Sequence, residues 1–259
     1  TKWIFFNHDF IVDKDLTIIN TNFIRFAPGK RMLIEPGHSV TINNSTIAAK
    51  CDSMWGGIHI PDASSSLTVR NSNLVAAIKA VHSENGGYYK ITSSKLIDNY
   101  ASIWVENYTL LPTTSIAEAN YFGDVISQNL MAPFNNEAQP VYGIYIQKIK
   151  DITVGPLTTA MQGNLFHNHK VGIFDTLATL HVFRNTFFNI RRTTGTPSGV
   201  DYVAIKSRGN ALVNNLLEVG SSPITRNIFL NCETGINSKF SLHLTAKYNY
   251  MKGCVLRGI

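Results

Sequence analysis

The stretches NLFHNHKVGIF (residues 164–174) and NIFLNCETGIN (residues 227–237) share one phrase. Both read Asn-x-Phe-x-Asn, followed by three variable residues and then Gly-Ile. Short alternation of apolar and polar residues, broken by turn-forming Asn and Gly, is typical of short strands separated by tight turns. A phrase that recurs at a constant spacing indicates a repeat architecture, so the rest of the chain was searched for further copies.

The phrase begins with Asn or Ser at eight places, and the commonest spacing is 21 or 22 residues. These first positions are Ser45, Ser72, Ser94, Asn120, Asn164, Asn185, Asn227 and Asn249. Another alternating pair precedes most copies, so each unit holds three short strands, and no segment keeps a helical period. Units that cannot bury their apolar face alone must stack on their neighbours, which predicts an all-β, parallel β-helix.

Stacked coils lie about 4.8 Å apart, so equivalent residues should form ladders along the solenoid. The third position of each copy is apolar, at Ile47, Leu74, Leu96, Phe122, Phe166, Phe187, Phe229 and Met251. We expect the four Phe side chains to form one interior stack. Asn at the first and fifth positions should lie at corners, because its amide bonds neighbouring backbone and it tolerates the left-handed conformation.

Composition and charge exclude several classes of protein. Apolar residues make up 44% of the 259 and charged residues 15%, which is typical of an all-β protein with many turns. The net charge of +6 comes from scattered Lys and Arg, without the basic block that a nucleic-acid-binding arm needs. No apolar run approaches eighteen residues, so we expect neither nucleic acid as a partner nor insertion into a membrane.

The phrases NTFFNI, NIFLNCETGI and NLFHNHKVGI resemble the coils of pectin-lyase-like right-handed parallel β-helix proteins. Residues 24–60, which include a Trp-x-Gly-Ile phrase after a Cys-containing loop, are similar to the opening coils of secreted bacterial members. The resemblance implies a single-stranded right-handed solenoid of about ten coils with three short strands per coil and little helix. It also implies a bacterial protein that is secreted or on the cell surface, with export by type IX secretion. We therefore expect residues 1–259 to be one β-helix domain, a fragment or mature part of a larger secreted protein.

Strand alternation predicts which side chains point outward from the strand that follows the small residue. With Ile58, Ile60, Ile103, Val105, Ile144 and Ile146 in the core, the residues between them face solvent. This outward column comprises His59, His82, Trp104, Tyr145, Phe174 and Asn237, with Tyr202 or Ala204 in a coil whose register is open. Its aromatic content favours a glycan-binding surface, although loops or a neighbouring domain could equally cover the rings.

Insertions are expected to flank this column on both sides, where long loops on a rigid repeat often build binding surfaces. They span residues 125–142 and 190–201 before the strand, and 107–118, 147–163 and 206–223 after it. Acid–base candidates near the column are Glu106, Asp175, Lys148, Lys206, Arg191, Arg192, His59 and His82. They form no paired-carboxylate or calcium-binding phrase, so no catalytic residue is assigned.

The predicted ligand-binding residues are Trp104, Tyr145, Phe174, His59, His82, Glu106 and Lys206. No metal site and no cofactor is predicted: His167 and His169 share a face by alternation, but two surface His without a third ligand rarely hold a metal. Cys232 and Cys254 occupy the same position of consecutive coils, so they should be neighbours at a spacing that a disulfide allows, although adjacent free thiols are favoured. Cys51 should be unpaired.

Three functions remain open from the sequence. The favoured hypothesis is a non-catalytic surface module for carbohydrate binding or adhesion, with a glycan or another cell-surface protein as its partner. The alternative is a polysaccharide lyase or glycoside hydrolase that acts on an anionic polysaccharide. The third is a structural spacer or adhesin that contacts another protein through the looped face. Fold resemblance alone does not distinguish them, because β-helices host all three.

Overall fold

The computed structural model describes residues 3–108, 116–124, 129–149, 151–192, 201–209, 216–239 and 243–254. These residues form parallel β-strands arranged in ten successive coils and one 3₁₀ turn, Pro223–Thr225. The prediction of an all-β parallel β-helix of about ten coils is therefore confirmed. Within the described ranges, no helix has the length and apolarity that crossing a bilayer requires.

Each coil contributes up to three strands, in chain order. Coils 1 to 5 are β1 (Ile4–Phe6), β2 (Phe10–Val12), β3 (Leu16–Ile19); β4 (Ile24–Phe26), β5 (Arg31–Ile34), β6 (Ser39–Asn43); β7 (Thr46–Ala49), β8 (Gly57–Ile60), β9 (Ser66–Arg70); β10 (Asn73–Val75), β11 (Lys79–Glu84), β12 (Tyr88–Thr92); β13 (Lys95–Ile97), β14 (Ala101–Tyr108), β15 (Ile116–Glu118). Coils 6 to 10 are β16 (Tyr121–Gly123), β17 (Tyr142–Ile149), β18 (Ile152–Val154); β19 (Leu165–His167), β20 (Val171–Thr176), β21 (Leu180–Val182); β22 (Thr186–Phe188), β23 (Val203–Arg208), β24 (Leu216–Val219); β25 (Ile228–Leu230), β26 (Thr234–Lys239), β27 (His243–Ala246); and β28 (Tyr250–Lys252).

Equivalent strands of successive coils form the faces of the solenoid. The first strands make the ten-stranded sheet A, which runs from β1 to β28, and the second strands make the nine-stranded sheet B, from β2 to β26. The third strands make two sheets, a five-stranded sheet C from β3 to β15 and a four-stranded sheet D from β18 to β27. Some predicted loop bounds are wrong, since residues 107–108, 116–118, 142, 147–149, 152–154, 206–208 and 216–219 belong to strands.

The predicted interior stack is confirmed. Phe122, Phe166, Phe187 and Phe229 are fully buried and lie in register on sheet A. Their ring centroids are 4.8, 4.8 and 5.0 Å apart, with interplanar angles of 13°, 10° and 11°. Rings at the strand spacing therefore fill the core by stacking along the axis.

The Gly of the repeated phrase is explained by this stack. A Cβ on Gly172 would lie 2.9 Å from Cδ1 of Phe187 and 2.6 Å from the backbone oxygen of Ala204. A Cβ on Gly143 would lie 2.6 Å from Cδ1 of Phe166. Phe166 and Phe187 thus pack where the preceding coil has no side chain, so Phe and Gly recur together in these coils.

The first residues of the phrase form a continuous hydrogen-bond ladder. Each backbone N–H donates to the side-chain oxygen of the equivalent residue in the next coil, from Ser45→Ser72 through to Asn227→Asn249, at 2.9 to 3.3 Å. The amide of Asn185, for example, also donates to the backbone oxygen of Val154 at 2.9 Å. Because buried backbone groups need partners, this ladder fixes the corner between the third and first faces.

A second corner uses the left-handed conformation, as the fifth position predicts. Asn168, Asn189 and Asn231 have φ of 55°, 56° and 53°, and Ala76 and Asp98 share this conformation. Asn is tolerated there because its short polar side chain bonds locally. The left-handed residue ends the sheet A strand and redirects the chain toward sheet B.

Candidate functional site

The outer face of sheet B carries the predicted column. Strand pairing places His59, His82, Trp104, Tyr145, Phe174, Lys206 and Asn237 in one register on coils 3 to 9. The expectation that Tyr202 or Ala204 occupies this column is wrong, because both side chains are buried and Lys206 takes the outward position. The alternating residues Ile58, Ile60, Ile103, Val105, Ile144 and Ile146 are buried, as predicted.

Three half-buried rings form the centre of the column, here called the ring row: Trp104, Tyr145 and Phe174. The centroids of Trp104 and Tyr145 are 3.7 Å apart at an interplanar angle of 13°. Tyr145 meets Phe174 edge-on at 5.4 Å and 74°. Tyr142 stacks on Phe174 at 5.8 Å, so the rings pack mainly on one another and leave their edges at the surface, while Nε1 of Trp104 is buried.

Cations lie at both ends of the ring row. Lys79 Nζ is 4.2 Å from the ring centroid of Trp104. At the other end, Lys206 Nζ and Arg208 Cζ lie 5.8 and 5.6 Å from the centroid of Phe174. Cations at this distance interact favourably with the ring, and here they also place positive charge beside an open surface.

A compact group of titratable side chains lies next to the ring row on coils 3 to 5. It is here called the His–Glu cluster and comprises His59, Lys79, His82, Glu84 and Glu106. His59 and His82 stack with centroids 4.7 Å apart. The Nε2 atom of His82 is 2.7 Å from Oε1 of Glu106 and 3.0 Å from Oε1 of Glu84, while Nε2 of His59 is 3.4 Å from Oε2 of Glu84. Lys79 Nζ approaches Oε1 of Glu106 at 3.7 Å.

Burial sets the protonation of this cluster. Desolvation lowers the pKa of both His59 and His82, more than the neighbouring carboxylates raise them. Desolvation also lowers the pKa of Lys79. For Glu106, burial opposes ionisation, but hydrogen bonds from His82 and Trp104 outweigh it and lower the pKa. The cluster therefore combines neutral imidazoles with the ionised carboxylate of Glu106 near neutral pH.

A cavity of about 360 Å³ opens beside the cluster. Its polar lining includes Arg31, Lys79, His59, His82 and Asp9, and the backbone of Gly29 and Gly56 forms part of the wall. Cationic side chains outnumber carboxylates in this lining, so the cavity suits an anionic group. Another cavity, of about 520 Å³, lies on sheet C and includes Arg70, Lys90, Glu118 and Met161 in its lining.

A second outward column lies two residues further along the same strands, and of its residues only Glu106 was predicted from the sequence. It comprises Glu84, Glu106, Gln147, Thr176, Arg208 and Lys239. Its charge changes from acidic on coils 4 and 5 to basic on coils 8 and 9. Glu84 and Arg208 could have been found from alternation, because each lies two residues after a member of the first column.

Of the remaining acid–base candidates, Asp175 was wrongly placed beside the outward column. It points into the core, where burial raises its pKa to about 7, although Ser207 and the backbone N–H of Ala178 favour the charged form. Lys148, Arg191 and Arg192 are exposed. Arg192 pairs with Glu233 at 3.7 Å, and none of these three belongs to the His–Glu cluster.

The two histidines of the HNH sequence do not share a surface. Asn168 adopts the left-handed conformation, which breaks strand alternation and turns His169 into the core. Burial lowers the pKa of His169 to about 3. His167 stays at the surface, where its Nδ1 lies 3.3 Å from Oδ1 of Asp124 and 3.0 Å from the hydroxyl of Tyr121.

The cysteine predictions are confirmed. Cys232 and Cys254 are free thiols in contact, and Cys51 is free and exposed. The hydrogen bond between the two thiols raises the pKa of Cys232 and lowers that of Cys254 to about 6. Neither cysteine lines the cavity beside the His–Glu cluster.

Of the predicted flanking loops, the described part of 125–142 borders the ring row. Phe134 stacks on Tyr100 at 3.9 Å, and Tyr100 meets Tyr142 edge-on at 6.0 Å. Glu137 pairs with Lys170. Parts of the predicted insertions, namely residues 109–115, 125–128, 193–200 and 210–215, lie outside the described residues.

Comparison of the chain with protein-family models, curated proteins and solved structures gives no significant match in any of the three.

Proposed function

We propose that this protein is a non-catalytic carbohydrate-binding module of a secreted or cell-surface bacterial protein. The observation that carries the proposal is the ring row, Trp104, Tyr145 and Phe174, which lies in register on three consecutive coils of sheet B. Amphipathic rings with polar tips suit carbohydrate, whose surfaces are partly apolar and partly hydroxylated. The resemblance of the coils to secreted β-helix proteins supports the location.

The packing of the rings defines how a glycan would be held. Because Trp104 has Tyr145 on one side and Lys79 near its ring, stacking of a sugar on this ring face is restricted. Contacts would come from ring edges, the hydroxyl of Tyr145 and the flanking cations. An extended polymer along the axis would meet a new coil about every 4.8 Å.

Charge favours an acidic polysaccharide. Lys206 and Arg208 lie at the end of the ring row, and Lys239 extends the basic column to the next coil. Carboxylates of a uronate-containing chain would pair with these cations, while Glu84 and Glu106 repel them at the opposite end. The carboxylates of the polymer are therefore expected over the basic residues of coils 8 and 9, and its contacts with the ring row on coils 5 to 7.

Binding of soluble acidic and neutral polysaccharides, measured by calorimetry after a glycan-array screen, tests the proposal. Trp104→Ala should weaken binding at least about ten-fold, the scale of losing one aromatic anchor. Trp3→Ala is the matched control, since Trp3 lies on coil 1 with Arg25 near its ring, away from the ring row. No binding by the wild-type protein, or equal losses in the two variants, would contradict the proposal.

A polysaccharide lyase is the second candidate, and the cavity beside the His–Glu cluster is the observation that favours it. β-Elimination needs a cation near the uronate carboxylate and a base for the α-proton. Arg31 could supply the first role, and Lys79, whose pKa desolvation lowers, the second. Glycoside hydrolysis has less support, because the lowered pKa of Glu106 does not suit a general acid.

The two candidates differ in a simple assay. A lyase would generate unsaturated uronate products with new ultraviolet absorbance, and Lys79→Met would abolish that signal. The binding module would retain polysaccharide without any such product. Saturable binding with unchanged polymer length therefore supports the first candidate over the second.

A further inference from the structure

We infer that His59, His82 and Glu84 form a binding site for a divalent transition-metal ion of the zinc class. The inference does not rest on carbohydrate binding. One ligand atom from each of the three side chains lies within 4.8 Å of the other two. Two imidazoles and one carboxylate are a donor set typical of such ions, whereas calcium and magnesium prefer oxygen alone.

The sheet holds these ligands in place. His59 on β8 and His82 on β11 are paired in register, and Glu84 follows His82 by two residues on the same outward face. The imidazole rings are nearly parallel, with an interplanar angle of 13°. Sites on regular strands are more precisely placed than sites on loops, so the backbone positions of the ligands are fixed, and rotation of the two stacked rings would direct their nitrogens toward one ion.

The distances suit coordination. Glu84 Oε1 is 3.0 Å from His82 Nε2, and Glu84 Oε2 is 3.4 Å from His59 Nε2. In a tetrahedral zinc site with bonds near 2.0 Å, ligand atoms are about 3.3 Å apart. Small movements of the three side chains would therefore converge on one ion.

Further coordination positions are available around the three ligands. Glu106 Oε1 lies 2.7 Å from His82 Nε2, so Glu106 can act as a fourth ligand. The cavity of about 360 Å³ reaches His59 and His82 and gives access to solvent.

Lys79 is the competing cation. Its Nζ lies 3.3 Å from Nε2 of His82 and 3.7 Å from Oε1 of Glu106, close to the position that the ion would occupy. Arg31 is the other cation that acts on His59. If the cluster were only an ion-pair network, Lys79 would keep its contacts with His82 and Glu106. Because the ammonium is on a flexible stem and can withdraw, metal binding should instead displace it.

This competition gives the test. The full chain, stripped with a chelator and dialysed, is titrated with Zn²⁺ by calorimetry at neutral pH and with Co²⁺ by visible absorption. The wild-type protein should bind one ion, and the Co²⁺ complex should show d–d bands of low coordination number. Lys79→Met should tighten binding about ten-fold, because a nearby positive charge is removed.

Loss of ligands should have the opposite effect. His82→Ala and the milder Glu84→Gln should weaken Zn²⁺ binding, by at least about 100-fold and 10-fold respectively. His167→Ala is the matched control, since His167 also pairs with a carboxylate, Asp124, but lies on sheet A. Circular dichroism checks folding, and Glu84→Gln, which keeps side-chain size, decides the matter if His82→Ala is unfolded.

Three results would overturn the inference. They are the absence of saturable one-to-one binding, equal affinity of wild type and Glu84→Gln, and weaker binding by Lys79→Met than by the wild type. The last outcome would mean that Lys79 supports the cluster rather than competes for it.

Discussion

Two columns of aromatic rings run along the same solenoid, one inside sheet A and one outside sheet B. Inside, Phe122, Phe166, Phe187 and Phe229 keep centroid spacings of 4.8 to 5.0 Å and angles of 10° to 13°. Outside, the step from Trp104 to Tyr145 is 3.7 Å at 13°, whereas the step to Phe174 is 5.4 Å at 74°.

Confinement explains the difference. An interior ring is enclosed by the faces of the solenoid and by the small residue of the preceding coil, which is Gly for Phe166 and Phe187, so a single packing arrangement is available. An outer ring has solvent on one side, and its orientation follows whichever ring or cation lies nearest. The inner column should therefore determine stability, while the outer column is free to vary and to bind.

The largest expected effect is on the inner column. Phe166→Ala removes a fully buried ring between Phe122 and Phe187, so the free energy of unfolding should fall by about 3–5 kcal/mol. Urea titration followed by circular dichroism measures the loss. A loss no greater than that of Tyr145→Ala would remove the distinction between the columns.

The inner face of sheet B offers a pH-dependent test. The pKa of Asp175 is about 7 in the folded state against 3.8 ordinarily, so the folded state binds more protons between these values. This group therefore lowers stability as pH rises from about 4 to 7, and Asp175→Asn should gain up to roughly 4 kcal/mol relative to wild type over that range. Unfolding is measured at several pH values.

His169 should change the stability of the protein with pH in the opposite direction to Asp175. Its folded pKa of about 3 lies below the ordinary 6.5, so wild-type stability should fall as pH drops below 6.5. Relative to wild type, the free energy of unfolding of His169→Asn should increase as the pH falls. That of Asp175→Asn should increase as the pH rises. Parallel difference curves for the two variants would contradict the assignment of these buried groups.

A smaller effect is expected at the corner ladder. Asn185→Ala removes the acceptor for the backbone N–H of Asn164 and the donor to Val154, which should cost about 1–3 kcal/mol. Asn73→Ala is the control, because Asn73 lies outside the ladder and bonds the hydroxyl of Thr46. Chemical denaturation should show a clearly smaller loss for Asn73→Ala.

The smallest effect belongs to the outer column. Tyr145→Ala should lower stability by only about 0.5–1.5 kcal/mol, the scale of a single aromatic pair. The same variant should weaken polysaccharide binding more strongly than it weakens folding. A large stability loss without a binding defect would indicate that the ring row is structural.

The interior could be predicted because the repeat sets its register. Once Phe166 and Phe187 are aligned, the Gly positions and the Asn ladder follow from the spacing alone. Within the outward column, register was lost at Lys206, where an insertion precedes the strand and Tyr202, Ala204 and Lys206 all alternate. In this coil the pairing of β20 with β23 identifies Lys206 as the outward residue, and the local sequence pattern does not.

The candidate site was less accessible to sequence. Glu84 follows from alternation after His82, but the approach of Lys79 to Trp104 comes from the start of the strand, where alternation says little. His169 was misplaced because one left-handed residue, Asn168, reversed the expected face. Charge clusters built across coils depend on such local details, and the repeat period does not encode them.

The ladder also makes the coil a removable unit. Asn164 and Asn185 are equivalent rungs 21 residues apart, so excision of residues 165–185 joins Asn164 to Thr186 and preserves the phrase across the junction. The shortened chain would lack Phe174 and Asp175 and bring Tyr145 beside Lys206. The length of the outer column can thus change by one whole coil at a time. Deletion or duplication of a coil could therefore alter the length of polymer that the protein binds, while the core stays the same.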